Sequence, residues 1–290
     1  MPTEHFQTLI IRDIKEISEL REVEQVQKDV WGIADREVFP ALALVPMIEL
    51  GAVLIGAFDG DRLAGFVFGF PGFEPPRRGC PAGDPGESGQ VILHSDMLAV
   101  RPDYRSQGLG YKLKLAQRER ALANGIDTIT WTFDPLQSLN AHLNFDKLGV
   151  TANRYCVNYY GETTSFLHRT GTDRLWVTWL LNSERVQGRL AGFSESETSA
   201  LAGVPAIVRI VENEEPLLCP PENLGRQSLA IQIPDNINQR LKENPDQAIR
   251  WREVTRDAFA RAMSAGLIVK EFYRLKRGAS YVGTYLLTAA

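Results

Sequence analysis

Apolar positions along the chain change period from segment to segment, and the periods predict the elements. Phe6–Ile11 reads as a first strand. Ile14, Ile17, Leu20, Val23, Val26 and Val30 recur every three or four residues, the stripe of an amphipathic helix, and Asp13 with Glu16 is a capping-box-like start for it. Phe39–Gly51 is apolar around two prolines and predicts a second, shorter helix. Ala52–Phe58 and Leu63–Phe70 are apolar runs around Asp59-Gly60, which is a hairpin signal. Val91–Val100 is a β-type run with no Gly or Pro inside it, stopped by Arg101-Pro102. After it come a short glycine-bearing loop and a helical segment that Gly125 can close in the left-handed conformation. Ile126–Phe133 reads as a strand parallel to Val91–Val100, Ser138–Gly149 as a helix, and Arg154–Gly161 and Leu175–Leu181 as further strands. This alternation with a right-handed crossover is the α/β arrangement.

From about Asn182 the texture changes. Val186–Leu201 is polar and small, a linker or a capped helix; Ala206–Val211 and Ser228–Ile233 predict strands. Asp235–Ala265 predicts a long helix interrupted near Asn244-Pro245, and Leu267–Leu275 and Tyr281–Thr288 predict closing strands that either extend the first sheet or stand apart from it. Pro71–Gly89 carries ten Gly or Pro in nineteen residues and predicts no regular element. It is a solvated insertion or, alternatively, a lid whose Arg77-Arg78 meets an anion.

Composition narrows the function classes. The 290 residues can bury a substantial core, and 32 basic against 36 acidic side chains leave a net charge of −4, which argues against a nucleic-acid surface. Arg250–Arg261 is basic with interleaved aromatics, but at the spacing of an amphipathic helix. Cys80, Cys156 and Cys219 suggest neither a disulfide framework nor a zinc site. No signal-peptide core and no run near the ~20 apolar residues of a spanning helix are present, so the expectation is a cytoplasmic protein with no membrane partner.

The strongest chemical signal is Arg105-Ser106-Gln107-Gly108-Leu109-Gly110 between strand and helix. First-turn amides without internal partners, the positive end of the helix dipole and glycines that admit close approach make an anion site. Tyr111 after Gly110 excludes a P-loop, and two glycines do not make a dinucleotide fingerprint. An ordinary strand-to-helix turn is the plainer alternative.

Arg105-x-x-Gly108-x-Gly110, entered from Leu98-Ala99-Val100, resembles the acyl-CoA pyrophosphate signature of the GNAT N-acyltransferase superfamily. Asn140–Gly149 resembles that family's later helix, N-x-x-A-x-x-x-Y-x-x-x-G, except that Ser138 and Phe145 stand at its Asn and Tyr positions. Trp131–Pro135 is similar to a longer GNAT subgroup with extra C-terminal structure, and the resemblance covers about two-thirds of the chain. It implies an α/β fold with a GNAT-type mixed twisted sheet flanked by helices, residues 1–181, and a smaller α+β C-terminal extension, residues 182–290, that can continue the sheet. It also implies acetyl-CoA or another acyl-CoA as co-substrate, a small amine acceptor and direct attack in a ternary complex without metal. Leu98, Val100, Arg105, Ser106, Gln107, Gly108, Leu109, Gly110 and Asn140 would bind the cofactor. Succinyl-CoA as donor, a non-catalytic acyl-CoA-binding module that docks a partner, and a homo-oligomer remain compatible.

His94 and Asp96 lie just ahead of the loop. Unbroken alternation would put both on one face of the strand, about 6–7 Å apart. A histidine with a pKa near ~6.5 suits deprotonation of an acceptor ammonium, and Asp96 could orient it or hold the amine; a half-buried histidine bonded within the sheet is an equally good reading. Trp131 and Asp134, at the carboxyl end of the next strand, are candidate acceptor contacts, although an Asp-Pro turn also explains Asp134. Phe145 has no proton for the leaving thiolate, whose pKa near ~8.5 makes an acid helpful but not essential, and leaves Tyr159, Tyr160 or solvent for that role. Asp173-Arg174 is an acceptor-carboxylate site or, more simply, an exposed ion pair. His142 reads as packing, and His5 and His168 carry no signal.

Overall fold

The structure, a computed structural model, describes residues 9–74, 89–193, 198–219, 228–278 and 280–289. The chain divides into two units, residues 1–130 with 164–166, and residues 131–163 with 167–290.

The first unit contains β1 (Ile10–Asp13), α1 (Ile17–Trp31), α2 (Ala41–Glu49), β2 (Val53–Asp59), β3 (Arg62–Glu74), β4 (Gln90–Val100), α3 (Leu109–Ala123) and the opening of β5 (Thr128–Phe133). Strands β1 to β4 pair antiparallel in sequence order, and β4 pairs parallel with β5 through the α3 crossover. The α1 stripe is buried at Leu20, Val23, Val26 and Val30 and packs with Leu44 of α2 and Phe66 and Phe68 of β3 in one apolar cluster. Two expectations change here. Asp13 is a strand residue opposite Ile55, so the capping box does not form; α1 starts at Ile17, itself exposed, after an N-cap Glu16 that makes no side-chain bond. The proline- and glycine-rich stretch does hold regular structure at its start, because β3 runs on through Pro71 and Gly72 opposite Leu93 and Ile92. Pairing with β2 ends at Val53↔Gly69, so beyond it one edge of β3 is open and can take a residue with no N–H. Arg77-Arg78, Cys80 and the start of the first predicted strand lie outside the described residues.

The second unit carries the rest of β5, then α4 (Ser138–Ala141), β6 (Thr151–Cys156), β7 (Arg174–Leu180), α5 (Glu184–Leu190), β8 (Ala206–Ile210), β9 (Pro216–Leu218), β10 (Leu229–Pro234), α6 (Ile237–Glu243), α7 (Pro245–Ser264), β11 (Leu267–Arg277) and β12 (Ser280–Ala289). The strand order is β5-β7-β6-β11-β12-β10-β8-β9. Val269 of β11 pairs with Ala152 of β6, so the C-terminal strands continue the sheet that β5, β7 and β6 begin. Helix α7 buries Ala248, Trp251, Arg252, Thr255, Ala258, Phe259 and Ala262, the stripe expected of an amphipathic helix against a sheet. The break before it falls at Asn244, whose side chain caps Gln247 N–H, with Pro245 in the first turn.

Three predicted spans are corrected. Ser138–Gly149 is not one α-helix: α4 passes into a π-helical turn, His142–Lys147, that ends where Leu148 N–H reaches Leu143 O. β6 stops at Cys156, and residues 157–160 form a turn in which Asn158 has φ 46°. Among the described residues of the Val186–Leu201 stretch, the end of α5, whose N-cap is Ser183, is followed by a short 3₁₀ turn at Thr198–Leu201.

Candidate active site

β4 is not a regular strand. Ser95 pairs with Gly69 and Met97 with Phe68, which leaves Asp96 as an unpaired extra residue, a β-bulge. The bulge interrupts the alternation on which the spacing of His94 and Asp96 was reckoned, because one inserted residue shifts the period of two. Ser95 and Met97 show the switch. Ser95 Oγ accepts from Lys114 Nζ of α3 at 3.0 Å, whereas Met97 packs in the apolar cluster with α1 and α2. Gly69 fits the bulge because a β-carbon there would stand 2.9 Å from His94 O and 2.9 Å from Gln117 Nε2.

The ladder with β5 consists of Leu93↔Ile129 and His94↔Thr130, so among the described residues that edge of β4 has no strand pairing at Asp96 and beyond. His94 sits at the last pair. Its Nδ1 is 3.0 Å from Thr130 Oγ1, and its ring lies 5.7 Å from Phe70, next in a chain of rings with Phe68 and Phe39. Asp96 is accessible from solvent and has no hydrogen-bond partner among the described residues. Neighbouring protein nevertheless desolvates its carboxyl and raises its pKa above the ordinary aspartate value.

Lys114 and Gln117 are buried where the α3 stripe calls for apolar side chains, and Lys114 Nζ also donates to Gln117 Oε1 at 2.9 Å. The sequence signal was this break in the stripe, which the helix assignment passed over. Burial drives the Lys114 pKa well below its ordinary value. The native state then binds fewer protons than the unfolded chain between that lowered value and the unfolded ~10.4, so stability rises with pH across that window. Denaturation midpoints of wild type and Lys114→Met should diverge over this range, the wild type gaining stability relative to the variant as pH rises; parallel curves would show a lysine that stays charged.

The loop after β4 is held at its root. Arg101 is buried, donates from Nε to Leu63 O at 2.8 Å, and pairs with Asp29 and Glu22 of α1. Arg105 Nε donates to Val100 O at 3.2 Å. Ser106 and Gly108 both take left-handed backbone, with φ 64° and 71°, and residues 105–108 are exposed. The first bond closing the helix is Lys112 N–H to Gly108 O, so the amides of residues 106–111 donate to no main-chain carbonyl among the described residues. A β-carbon on Gly110 would touch only Leu98, at 3.8 Å. His94, Asp96, Leu98, Val100 and residues 105–110 thus lie along one strand and the loop that leaves it.

Trp131, Asp134 and Asn140 belong to the second unit. Trp131 is buried edge-on against Trp179 at 5.9 Å. Asp134 Oδ1 accepts from Leu136 N–H at 2.9 Å and from the buried Arg252 at 2.7 Å, so its charge is already paired. Asn140 is exposed on α4. Phe145 is fully buried between Phe133 and Tyr285, so that position is part of the core. Tyr159 and Tyr160 are exposed.

The reading of Asp173-Arg174 as an exposed pair is wrong. Asp173 is wholly buried and its carboxylate accepts from Arg256 Nε and Nη2, Tyr155 Oη and Asn158 N–H. Burial alone would raise its pKa, but these donors lower it. Arg174 turns instead to His168, a residue with no sequence signal, at 2.6 Å.

The acetyltransferase (GNAT) family profile matches residues 18–149. No curated protein matches the chain. Among solved structures, NAA60 of Arabidopsis thaliana in complex with acetyl-CoA is 16% identical, with 60% of this chain and 99% of that one covered at a TM-score of 0.47. A GNAT-family acetyltransferase of Streptococcus pneumoniae is 16% identical over 60% of this chain and 99% of its own, TM-score 0.44. The ribosomal-protein-S18-alanine N-acetyltransferase of Escherichia coli is 14% identical over 61% and 96%, TM-score 0.44.

Proposed function

We propose that the chain, whose residues 18–149 match the GNAT acetyltransferase family profile, transfers an acyl group, acetyl first among candidates, from acyl-CoA to the amine of a small acceptor. The observation that carries this is the run of amides at residues 106–111 that donate to no main-chain carbonyl among the described residues, opening a fifteen-residue helix after the bulged strand. Amides and helix dipole bind the pyrophosphate, and Arg105 adds charge. The unpaired edge of β4 at Leu98–Val100 offers main-chain N–H groups to the thioester carbonyl and to the oxyanion that forms on attack.

Attack needs a neutral amine. Asp96 is the base in this scheme, since it alone combines the bulge, access to solvent and a raised pKa; His94, held by Thr130, lines the approach. The buried Phe145 can supply no proton, so the departing thiolate takes one from solvent or from an exposed hydroxyl. Asp134 has no part in this scheme, because its charge is paired with Arg252.

Calorimetric titration of acetyl-CoA into wild type and a Gly108→Asp, Gly110→Asp double variant tests the cofactor site. Two carboxylates among the amides should weaken binding about 10–100-fold, or ~1.4–2.8 kcal/mol; because Gly108 sits at φ 71°, the variant is also expected to lose some stability, and a melting curve shows that it is folded at the titration temperature. Absence of binding to a folded wild type, with acetyl-CoA and succinyl-CoA alike, would reduce the loop to a turn.

A further inference from the structure

Helix α3 sets a polar cluster under the bulge of β4, and every member lies in the first unit: Gly69 of β3, Ser95 of β4, Lys114 and Gln117 of α3. Lys114 and Gln117, one turn apart, are 2% and 0% exposed, and Ser95 is 6% exposed. Lys114 Nζ bridges Ser95 Oγ and Gln117 Oε1, so one amino group ties the helix to the strand. Gln117 Nε2 reaches under Gly69 into the space that a side chain there would fill, and finds no acceptor among the described residues. A helix that only packed on a sheet would carry apolar side chains at these positions, and burying polar groups costs free energy that packing does not return. Such breaks in the local rules mark places where geometry is held for a function.

The geometry held here is the bulge. Opposite residues of a ladder share a face, and the register is pulled from two sides. Upstream, Ser95↔Gly69 is anchored on the α3 side by Lys114. Downstream, Met97↔Phe68 is anchored on the other side, in the apolar cluster with α1 and α2. Running the upstream register on would set Asp96 opposite Phe68, in that cluster; running the downstream register back would set it opposite Gly69, toward α3. With both anchors in place one residue is left over, and it is Asp96, open to solvent. The apolar anchor survives removal of the Lys114 amino group, and then it alone decides the register.

We propose that Lys114 is a positioning residue: through Ser95 it fixes the upstream side of the bulge and so presents Asp96 to the amine acceptor. The role of Asp96 rests on the acyltransferase reading; the hold of Lys114 on the bulge does not.

Lys114→Met, Ser95→Ala, their double variant and Ser95→Thr are compared with wild type by interstrand amide NOEs, acetyl-CoA calorimetry and steady-state acylation of an amine panel. Lys114→Met keeps the length of the side chain without its donors. It should replace the Ser95–Gly69 contact with an Asp96–Gly69 one and lower kcat/KM about 10²-fold, the scale of a ~1 Å misplacement, at unchanged affinity for acetyl-CoA. Ser95→Ala should do the same, and the double variant should be no worse than either single one. Ser95→Thr, which keeps the hydroxyl, should stay near wild type. If Lys114→Met does not fold, the contrast between Ser95→Ala and Ser95→Thr decides. A wild-type register in folded Lys114→Met, unchanged kcat/KM despite a shifted register, or effects that multiply in the double variant would overturn the proposal. The two readings fail separately: acyl transfer by wild type with no register change in Lys114→Met sinks this inference alone, and a register shift in Lys114→Met with no acyl transfer by wild type sinks the acyltransferase reading alone.

Discussion

Asp96→Asn should lower kcat/KM about 10²–10⁴-fold, the range for loss of a general base, with whichever amine of a panel the wild type acylates, and should leave acetyl-CoA affinity unchanged. The pH profile gives a second readout. The base works deprotonated, and desolvation raises its pKa, so the acid limb of wild-type kcat/KM should lie above the ~4 of an ordinary aspartate and vanish in the variant. Stability should move the other way. A carboxyl raised in the fold binds more protons native than unfolded between ~3.9 and its folded value, so wild-type stability falls as pH rises through that window. Asp96→Asn lacks this loss and should be the more stable protein at neutral pH, the usual relation between a strained active-site charge and activity. Unchanged kcat/KM across pH would remove Asp96 from the chemistry and return the role to His94.

The central β4–loop–α3–β5 unit was legible because its punctuation is local. Arg101-Pro102 stops a strand, Gly108 takes the left-handed backbone that opens α3, and Gly125, at φ 74°, closes the turn after it. The break between α6 and α7 was legible for the same reason, since Asn244 and Pro245 act within a turn of themselves. What failed depended on residues far away in sequence. The bulge at Asp96 is a property of the register with β3, and nothing in Val91–Val100 alone announces it. Asp13 reads as a cap until β2 claims it for a strand. Asp173-Arg174 looks like a surface pair because Arg256, eighty-three residues later, is what buries and satisfies Asp173. Charges at apolar-stripe positions, Lys114 in α3 and Arg252 in α7, were the readable trace of such distant partners.

Asp134 separates a structural from a substrate role most sharply. Its side chain is one-tenth exposed and pairs with Arg252, whose side chain is 2% exposed and whose Nε and Nη1 find no partner among the described residues. Removing one member of a buried pair strands the other charge, so Asp134→Ala should destabilise the protein by ~3–5 kcal/mol. The Leu136 N–H also loses its acceptor. Exchanging both members for apolar residues, Asp134→Leu with Arg252→Met, should recover most of the loss, because no uncompensated charge is left. A double-mutant cycle of denaturation midpoints measures that coupling. An acceptor-ammonium contact would behave differently: Asp134→Ala would raise KM at nearly unchanged stability, and the second substitution would restore nothing. Arg250 of the same helix, paired with Glu215 near the surface, is the internal control, since Arg250→Ala breaks a solvated pair and should cost no more than ~1 kcal/mol.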